Sequence, residues 1–374
     1  MGALPERAVA MLAAVHTRPG LTRAEVSRLL GIGTGGAAEV VAALVEDQLL
    51  AEGPPPPAST RGRPTRPLVA HPAGPVVLAA ALGHATWRVD AVELGGTRVA
   101  GVSGEHAGES AATVLARLGE AVQQLRDQLG DRVRGLGVAA PGVVTDERWL
   151  DATILGWRDV DLTVVWPGAA LFVAGNDATL AAVAEARRGA AVDARSALHL
   201  MVDAGLGGAQ VDAGHLVGGA RGTAGEFGHL PLGDPAVVCP CGARGCWGTA
   251  VDGTALARLL GESAPQDPGT YGREVIARDD PTARSAVTTV AAGLGRGIAG
   301  LVNALDPDVV TLGDLAADLL AAAPDELHAA VAAGLMRVRR AAPPPVVPAA
   351  LGELGAITGA AEQVWDRWWA ELRR

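Results

Sequence analysis

The sequence predicts a mixed α/β protein in two parts: a small head with a winged helix-turn-helix, and a larger body built from a duplicated α/β unit. Three observations predict this. Helical segments fill the first fifty residues, strands and helices alternate from about residue 75, and one strand-turn-strand pattern occurs twice in the later part. The 374 residues are also too many for one ordinary core. We therefore expect the head at residues 1–72 and the body at 73–374.

Three predicted helices open the head. The apolar spacing of residues 6–15 is helical, and Arg18-Pro19-Gly20 ends it. Thr22 and Glu25 have the spacing of a capping box and open a second helix. A short glycine-containing turn leads to a third helix over 34–46. Two helices joined in this way are typical of a helix-turn-helix, whose later helix enters the major groove of DNA.

A Pro-rich loop follows, between predicted strands at 48–52 and 68–70. It contains Arg61, Arg63 and Arg66. On composition alone a solvated linker explains the loop equally well. The helices before it favour a wing, so we expect these arginines to contact DNA.

The predicted recognition helix has few groups that read bases. It starts with Thr34, which we expect to contact DNA, followed by Gly35 and Gly36. Arg, Asn and Gln, the side chains that read base edges best, are missing from this stretch. Base reading would then depend on Thr34, close backbone approach and wing arginines in a narrow minor groove.

Charge and hydropathy restrict the partners. All 31 basic residues are Arg, and the net charge of −10 divides into +1 for residues 1–70 and −11 beyond them. Only the head is suited to a polyanion. Gly, Pro or charge interrupts each apolar run before the roughly 18 residues of a membrane span, and the first residues do not fit a secretory signal. We expect a cytoplasmic protein without a membrane partner.

The body contains a weak internal repeat. The segments that start at Val76 and Leu198 both read as apolar strand, Gly-rich turn, second strand and Gly-Gly turn. Two such units predict two halves with a cleft between them. Sugar kinases and other actin-like ATPases are built in this way, and each half gives one hairpin that holds phosphate through backbone N–H groups. Gly hairpins alone are weak support, because any tight hairpin needs them.

The most specific pattern is one histidine followed by all three cysteines of the chain: His229, Cys239, Cys241 and Cys246. Three thiols cannot all pair in disulfides, and the cytoplasm would keep them reduced. A Cys3His set provides the four N/S ligands of a closed, structural zinc site. The alternative is three unrelated cysteines in one loop.

These residues resemble a known family. Glu226-Phe227-Gly228-His229 and the segment 239–246 match E-x-G-H and C-x-C-G-x-x-G-C, the signature of the ROK family of repressors and sugar kinases. The resemblance covers nearly the whole chain, including Gly135–Gly142 and Asn176-Asp177. It implies an actin-like (ribonuclease H-like) ATPase fold, with halves at about 73–174 plus the C-terminal helix and at 175–350. It also implies a homodimer or homotetramer.

The phosphate hairpins depart from the kinases of that family. Ala81 replaces the Asp of D-x-G-x-T, Asp203 stands in the second hairpin, and the adenosine loop reads Gly313-Asp314. Phosphoryl transfer depends on positioning and on charge neutralisation, so these changes argue against ATP and Mg²⁺ as cofactors. We expect no catalysis, although Asp177 matches the general base of the kinases.

The resemblance implies that Asn176, Asp177, Glu226 and His229 contact a sugar. Two simpler readings stay open: Asn176-Asp177 caps a helix, and Glu226 and His229 only brace the metal loop. The family's G-C-x-E has Gly248 in place of Glu, which weakens sugar binding or changes which sugar fits.

The sequence therefore predicts a transcriptional regulator, with a repressor favoured, that senses a sugar or sugar phosphate. An active sugar kinase and a ligand-independent DNA-binding or scaffold protein are the alternatives. The last residues, AEQVWDRWWAELRR, predict an amphipathic helix whose tryptophans pack on the first half of the body or serve an oligomer interface.

Overall fold

The computed structural model describes residues 3–54, 66–106, 108–220 and 223–374. The helices, numbered α1 to α12 in chain order, are Glu6–Thr17, Arg23–Leu29, Thr34–Glu46, Ala111–Leu129, Asp177–Arg188, Gly253–Leu260, Pro268–Ile276, Pro281–Leu305, Leu315–Ala322, Pro324–Gly334, Arg337–Ala341 and Gly355–Leu372. The strands, numbered β1 to β15, are Leu50–Glu52, Leu68–Ala70, Val76–Leu82, Thr86–Glu93, Arg98–Glu105, Val133–Ala140, Val143–Thr145, Trp149–Ala152, Trp157–Asp161, Phe172–Asn176, Ser196–Val202, Leu206–Asp212, His215–Leu216, Val309–Asp314 and Val346–Pro348. The predicted α/β class is confirmed.

The head consists of α1, α2, α3 and an antiparallel pair of strands. The capping box that opens α2 is formed: the Thr22 N–H donates to the Glu25 carboxylate at 2.8 Å, and the Thr22 hydroxyl accepts from the Glu25 N–H at 3.4 Å. Strands β1 and β2 pair with Leu50 opposite Ala70. Three helices and a two-stranded pair are the elements of a winged helix-turn-helix.

The duplication predicted for the body is present in its two main sheets. Their strand orders are β5-β4-β3-β6-β10 and β13-β12-β11-β14-β15. In each sheet, the first three strands along the chain form an antiparallel meander, and the last two run parallel to the first. The repeated segments are the β3–β4 and β11–β12 hairpins. A third, small sheet contains β7, β8 and β9.

Each main sheet is covered by its own helices. Helix α4 packs on the first sheet, and α8 and α9 pack on the second. By length and composition α8 could cross a membrane, but 67% of its most apolar window is buried inside the protein. It forms the centre of the second half's core.

The head and the body share one hydrophobic core. It combines Val9 of α1 and Leu44 of α3 with Leu180 of α5 and the tryptophans of α12. Trp365, Trp368 and Trp369 are all buried. The tryptophans therefore pack on the first sheet, which is one of the two alternatives that the sequence left open. They also pack on the head, a contact that the sequence did not indicate.

Candidate functional site

The four predicted metal ligands converge. The donor atoms of His229, Cys239, Cys241 and Cys246 all lie within 4.8 Å of one another. Cys241 Sγ and Cys246 Sγ are 3.8 Å apart, and Cys239 Sγ is 3.9 Å from His229 Nδ1. Zn–S bonds of about 2.3 Å in a tetrahedron put two sulfurs roughly 3.8 Å apart. The donor set and its spacing therefore fit a tetrahedral metal ion.

Glycines and backbone hydrogen bonds shape the loop that bears the cysteines. Gly242 and Gly245 have φ values of +94° and +68°, which side chains with a Cβ rarely adopt. The Cys239 N–H donates to the Ala243 carbonyl at 2.8 Å and closes the turn. The loop is then fixed to the core by Trp247, whose indole N–H donates to the Gly293 carbonyl of α8 at 3.2 Å. The Trp247 ring is buried and packs in the core of the second half.

The predicted sugar contacts lie on two sides of the start of β12. Next to Asp177, Ala178 faces this strand: a methyl group at Gly207 would come within 2.8 Å of the Ala178 Cβ. On the other side, a methyl group at Gly228 would collide with the Leu206 carbonyl. Glu226 and His229 are both exposed there, with the Glu226 carboxylate 3.6 Å from His229 Nε2. One ring nitrogen of His229 thus faces the cysteines and the other faces Glu226.

Asn176 caps α5 and also contacts the first half of the body. Its side-chain oxygen accepts from the Thr179 N–H at 3.0 Å, so Asn176 is the N-cap of α5. Its amide also donates to the Gly142 carbonyl at 3.0 Å, which capping does not require. The residue therefore links the start of α5 to the loop after β6.

Asp177 lies beside two further carboxylates, Asp203 and Asp314. Burial raises the pKa of Asp177 to about 7, with contributions from these two charges, although the Ala178 N–H opposes the shift. Burial and the Asp203 charge likewise raise the pKa of Asp314 to about 6. Asp314 stands opposite Val202 in the parallel pair of β11 and β14, so the two strand ends bring the acids together.

The β3–β4 hairpin closes against the second half of the body. His84, at its turn, donates from Nε2 to the Gln266 carbonyl at 3.0 Å. On the opposite hairpin, a methyl group at Gly269 would collide with Oδ1 of Asp203, so this carboxylate lies against the first turn of α7. The region between the hairpins is thus narrowed by the His84 imidazole and contains the Asp203 carboxylate, with Arg273 near enough to oppose the rise in pKa that burial causes at Asp203 and at Asp314.

The predicted DNA contacts are only partly described. Thr34 is exposed at the first turn of α3, and Arg66 is exposed just before β2. Arg61 and Arg63 lie outside the described residues. Methyl groups at Gly35 and Gly36 would meet nothing within 4 Å, so this part of α3 is open to close approach by a partner.

Sequence reasoning missed the contacts that connect distant segments. The bond from His84 to Gln266 and a buried cluster of His16, Arg188 and Glu362 are examples. One feature of the sequence could have indicated this cluster: Glu362 stands three residues before Trp365, on the apolar face of a predicted amphipathic helix.

These features define a class of protein: a winged helix-turn-helix joined to a duplicated, actin-like body of the kind that sugar kinases have, with a Cys3His loop that could hold a metal ion. The chain belongs to the ROK family, whose sequence profile matches residues 91–367.

Regulators and kinases both occur among the relatives. An N-acetylgalactosamine kinase of Shewanella sp. (strain ANA-3) is 32% identical over 218 residues, which are 55% of this chain and 70% of that protein. The xylose repressor of Bacillus subtilis (strain 168) is 26% identical over 48% of this chain and 47% of its own length. A crystal structure of a ROK family transcriptional regulator, a homologue of the E. coli MLC protein, shares the fold over 98% of this chain and 96% of that one, with a TM-score of 0.74 and 20% identity.

Proposed function

We propose that this protein is a cytoplasmic, DNA-binding transcriptional regulator, in the first instance a repressor. Residues 1–72 contact an operator through Thr34, Arg61, Arg63 and Arg66. Residues 73–374 bind a sugar or sugar phosphate with Asn176, Asp177, Glu226 and His229. The body is held by a structural Zn²⁺ on the Cys3His loop and performs no catalysis. The protein works as a homodimer or homotetramer, so that two heads meet a palindromic site.

The observation that supports this proposal best is the combination of a helix-turn-helix head with altered nucleotide hairpins. Ala81 gives no carboxylate to orient a magnesium nucleotide, and Asp203 and Asp314 add negative charge where phosphates would lie. On the sugar side Asn176, Asp177, Glu226 and His229 are present, although Gly248 replaces the Glu of the family motif. Together these favour a body that binds a sugar and does not phosphorylate it.

Arg66 provides a direct test of DNA binding. We expect the purified protein to bind DNA from upstream of its own gene more tightly than scrambled DNA at near-physiological salt. Arg66→Gln should weaken binding to both DNAs similarly and reduce the slope of log affinity against log salt by about 1, because one phosphate contact is lost. The matched control is Arg284→Gln, an exposed arginine of the body, which should change neither quantity. Equal affinity of the wild type for the two DNAs would contradict the regulator proposal for that site.

An active kinase is the second candidate, and one observation favours it. The raised pKa of Asp177, about 7, is suited to a general base. Because Ala81 leaves the first hairpin without its carboxylate and Asp203 stands in the second, we nevertheless expect no ADP formation with ATP, Mg²⁺ and glucose, xylose or N-acetylgalactosamine. A commercial hexokinase in the same assay is the positive control. ADP formation that disappears in Asp177→Asn would establish the kinase instead.

Gly248 tests the sugar site. A methyl group there would make only ordinary contacts, the nearest being 3.4 Å from the Gly228 carbonyl and the Leu206 nitrogen, so a side chain can start at this position. Gly248→Glu restores the carboxylate of the family motif and is expected to tighten sugar binding by about 1 to 3 kcal/mol, as measured by calorimetry with the same three sugars. Gly248→Gln, of equal size but neutral, should gain less.

The same titrations examine the third candidate, a ligand-independent DNA-binding or scaffold protein. That candidate predicts specific DNA binding with no heat of sugar binding in the wild type or in either Gly248 variant.

A further inference from the structure

Helix α5 connects the proposed sugar cleft with the head. Asn176 and Asp177 stand at its start, and Arg187 and Arg188 are its last residues. Its 12 residues, at about 1.5 Å each, span roughly 18 Å. A small sugar at the first end therefore cannot touch the second, and any influence has to pass through the helix and its neighbours.

The start of α5 is held by both halves of the body. The Asn176 amide donates to the Gly142 carbonyl of the first half at 3.0 Å. The first turn of α5 also contacts the second main sheet, where Ala178 lies against Gly207 of β12. A ligand that changes the angle between the halves therefore changes the position of α5.

Along its length α5 lies directly against α12. A methyl group at Gly359 would collide with the Leu180 backbone carbonyl, and one at Gly355 would come within 3.2 Å of the Ala181 Cβ. Contacts this close leave no gap that could absorb a movement, and closely packed interiors transmit strain. A displacement of α5 is consequently passed to α12.

The far end of α5 fixes the head through a buried polar joint of His16, Arg188 and Glu362. The Gly95 N–H donates to His16 Nδ1 at 3.0 Å, and His16 Nε2 lies 3.1 Å from the Glu362 carboxylate and 2.8 Å from Nη2 of Arg188. Arg188 Nε donates to the same carboxylate at 2.5 Å, and its Nη2 donates to the His16 carbonyl at 3.1 Å. The side chains of His16 and Glu362 are only 3% and 4% exposed. One arginine of α5 thus binds both α12 and the last turn of α1.

We propose that α5 couples the cleft to the head: a ligand at Asn176 and Asp177 displaces α5 against α12, and Arg188 is the positioning residue that passes the displacement to His16. The inference rests on the proposed function for its ligand and its regulatory outcome. The contacts that form the link are present without sugar or DNA, so the link can be tested in their absence.

The test is a double-mutant cycle read out by hydrogen exchange of the α1 amides, Glu6–Thr17, in the full chain. Asn176→Ser keeps a helix cap but removes the amide that bonds Gly142. Arg188→Gln combined with Glu362→Gln removes these two charged partners together, and Arg187, which lies 3.4 Å from Glu362, keeps its ion pair with Asp366. The matched control is Asn303→Ser, which removes an amide bonded to the Gly334 carbonyl away from α5.

We expect Asn176→Ser to change α1 exchange at least about fivefold and to add nothing further in the Arg188→Gln, Glu362→Gln background. Asn303→Ser should leave α1 exchange unchanged. The proposal is wrong if Asn176→Ser has no effect on α1, or if the two effects multiply to within about twofold, as they do for independent sites. Should the paired variant leave α1 without protection, Arg188→Lys, which keeps the charge but loses the fork of donors, takes its place in the cycle.

A failure of the proposed function would give different results from a failure of the coupling between α5 and the head. If the wild type binds neither specific DNA nor any of glucose, xylose and N-acetylgalactosamine, the regulator proposal fails while the exchange cycle still decides whether the coupling exists. If one sugar does bind, it should change α1 exchange in the wild type and not in the paired variant, with its affinity retained. Sugar-dependent exchange of α1 that persists in the paired variant would exclude Arg188 as the connection.

Discussion

Cys246→Ser is expected to abolish metal binding and to lower the free energy of unfolding by about 4 to 5 kcal/mol. Closed structural zinc sites use four protein ligands, and the thiolate removed here is a buried one, 1% exposed. Metal analysis of the purified protein should fall from about one zinc per chain to none. Because Trp247 follows directly and packs against α8, the loss should also loosen the core of the second half.

The control for this change is Arg244→Gln in the same loop. Arg244 is exposed, and its guanidinium donates to the Ala236 carbonyl at 3.3 Å without contacting the ligand set. The Arg244→Gln protein should keep its zinc, and its free energy of unfolding should fall by less than about 0.5 kcal/mol. A Cys246→Ser protein that retains one equivalent of zinc would mean that the metal binds elsewhere or that three ligands suffice.

The Cys3His cluster could be predicted from the sequence because its four residues are close together along the chain. All four fall between residues 229 and 246, so short turns with Gly242 and Gly245 are enough to bring them together. The helices of the head were predictable for the same reason, since the Thr22–Glu25 capping box is a contact across three residues. The two hairpins follow from repeated local patterns. Each of these features is determined by residues that are close together in the sequence.

Contacts between distant segments depend on packing that no local pattern contains. His16 and Glu362 are separated by 346 positions, and their pairing requires α1, α5 and α12 to meet. The approach of Asp203 to Asp314 follows from the register of β11 with β14, which places Val202 opposite Asp314. Sequence reasoning identified these two acids as departures from the kinase pattern. Their adjacency to Asp177, and the resulting rise in the pKa of Asp177, required the fold.

Glu362→Gln is expected to lower the free energy of unfolding by about 3 kcal/mol at neutral pH. The substitution leaves Arg188 buried beside a neutral amide, and removing one member of a buried ion pair costs more than removing both. Glu371→Gln, the same change at an exposed position of the same helix, should lower the free energy of unfolding by less than about 0.5 kcal/mol. Urea titration with hydrogen exchange of α1 measures both.

The same carboxylate makes the joint between head and body sensitive to acid. Burial alone would raise the pKa of Glu362, but the hydrogen bonds and charges of His16 and Arg188 lower it from 4.5 to about 2. A group whose pKa is lower in the folded state stabilises that state above its unfolded pKa, and loses this contribution as the pH falls toward the folded value. Between pH 5 and pH 2 the wild type should therefore lose about 3 kcal/mol that Glu362→Gln does not lose. Parallel acid curves for the two proteins would show that Glu362 is not ionised in the joint, and the ion pair with Arg188 could not then be what fixes the head.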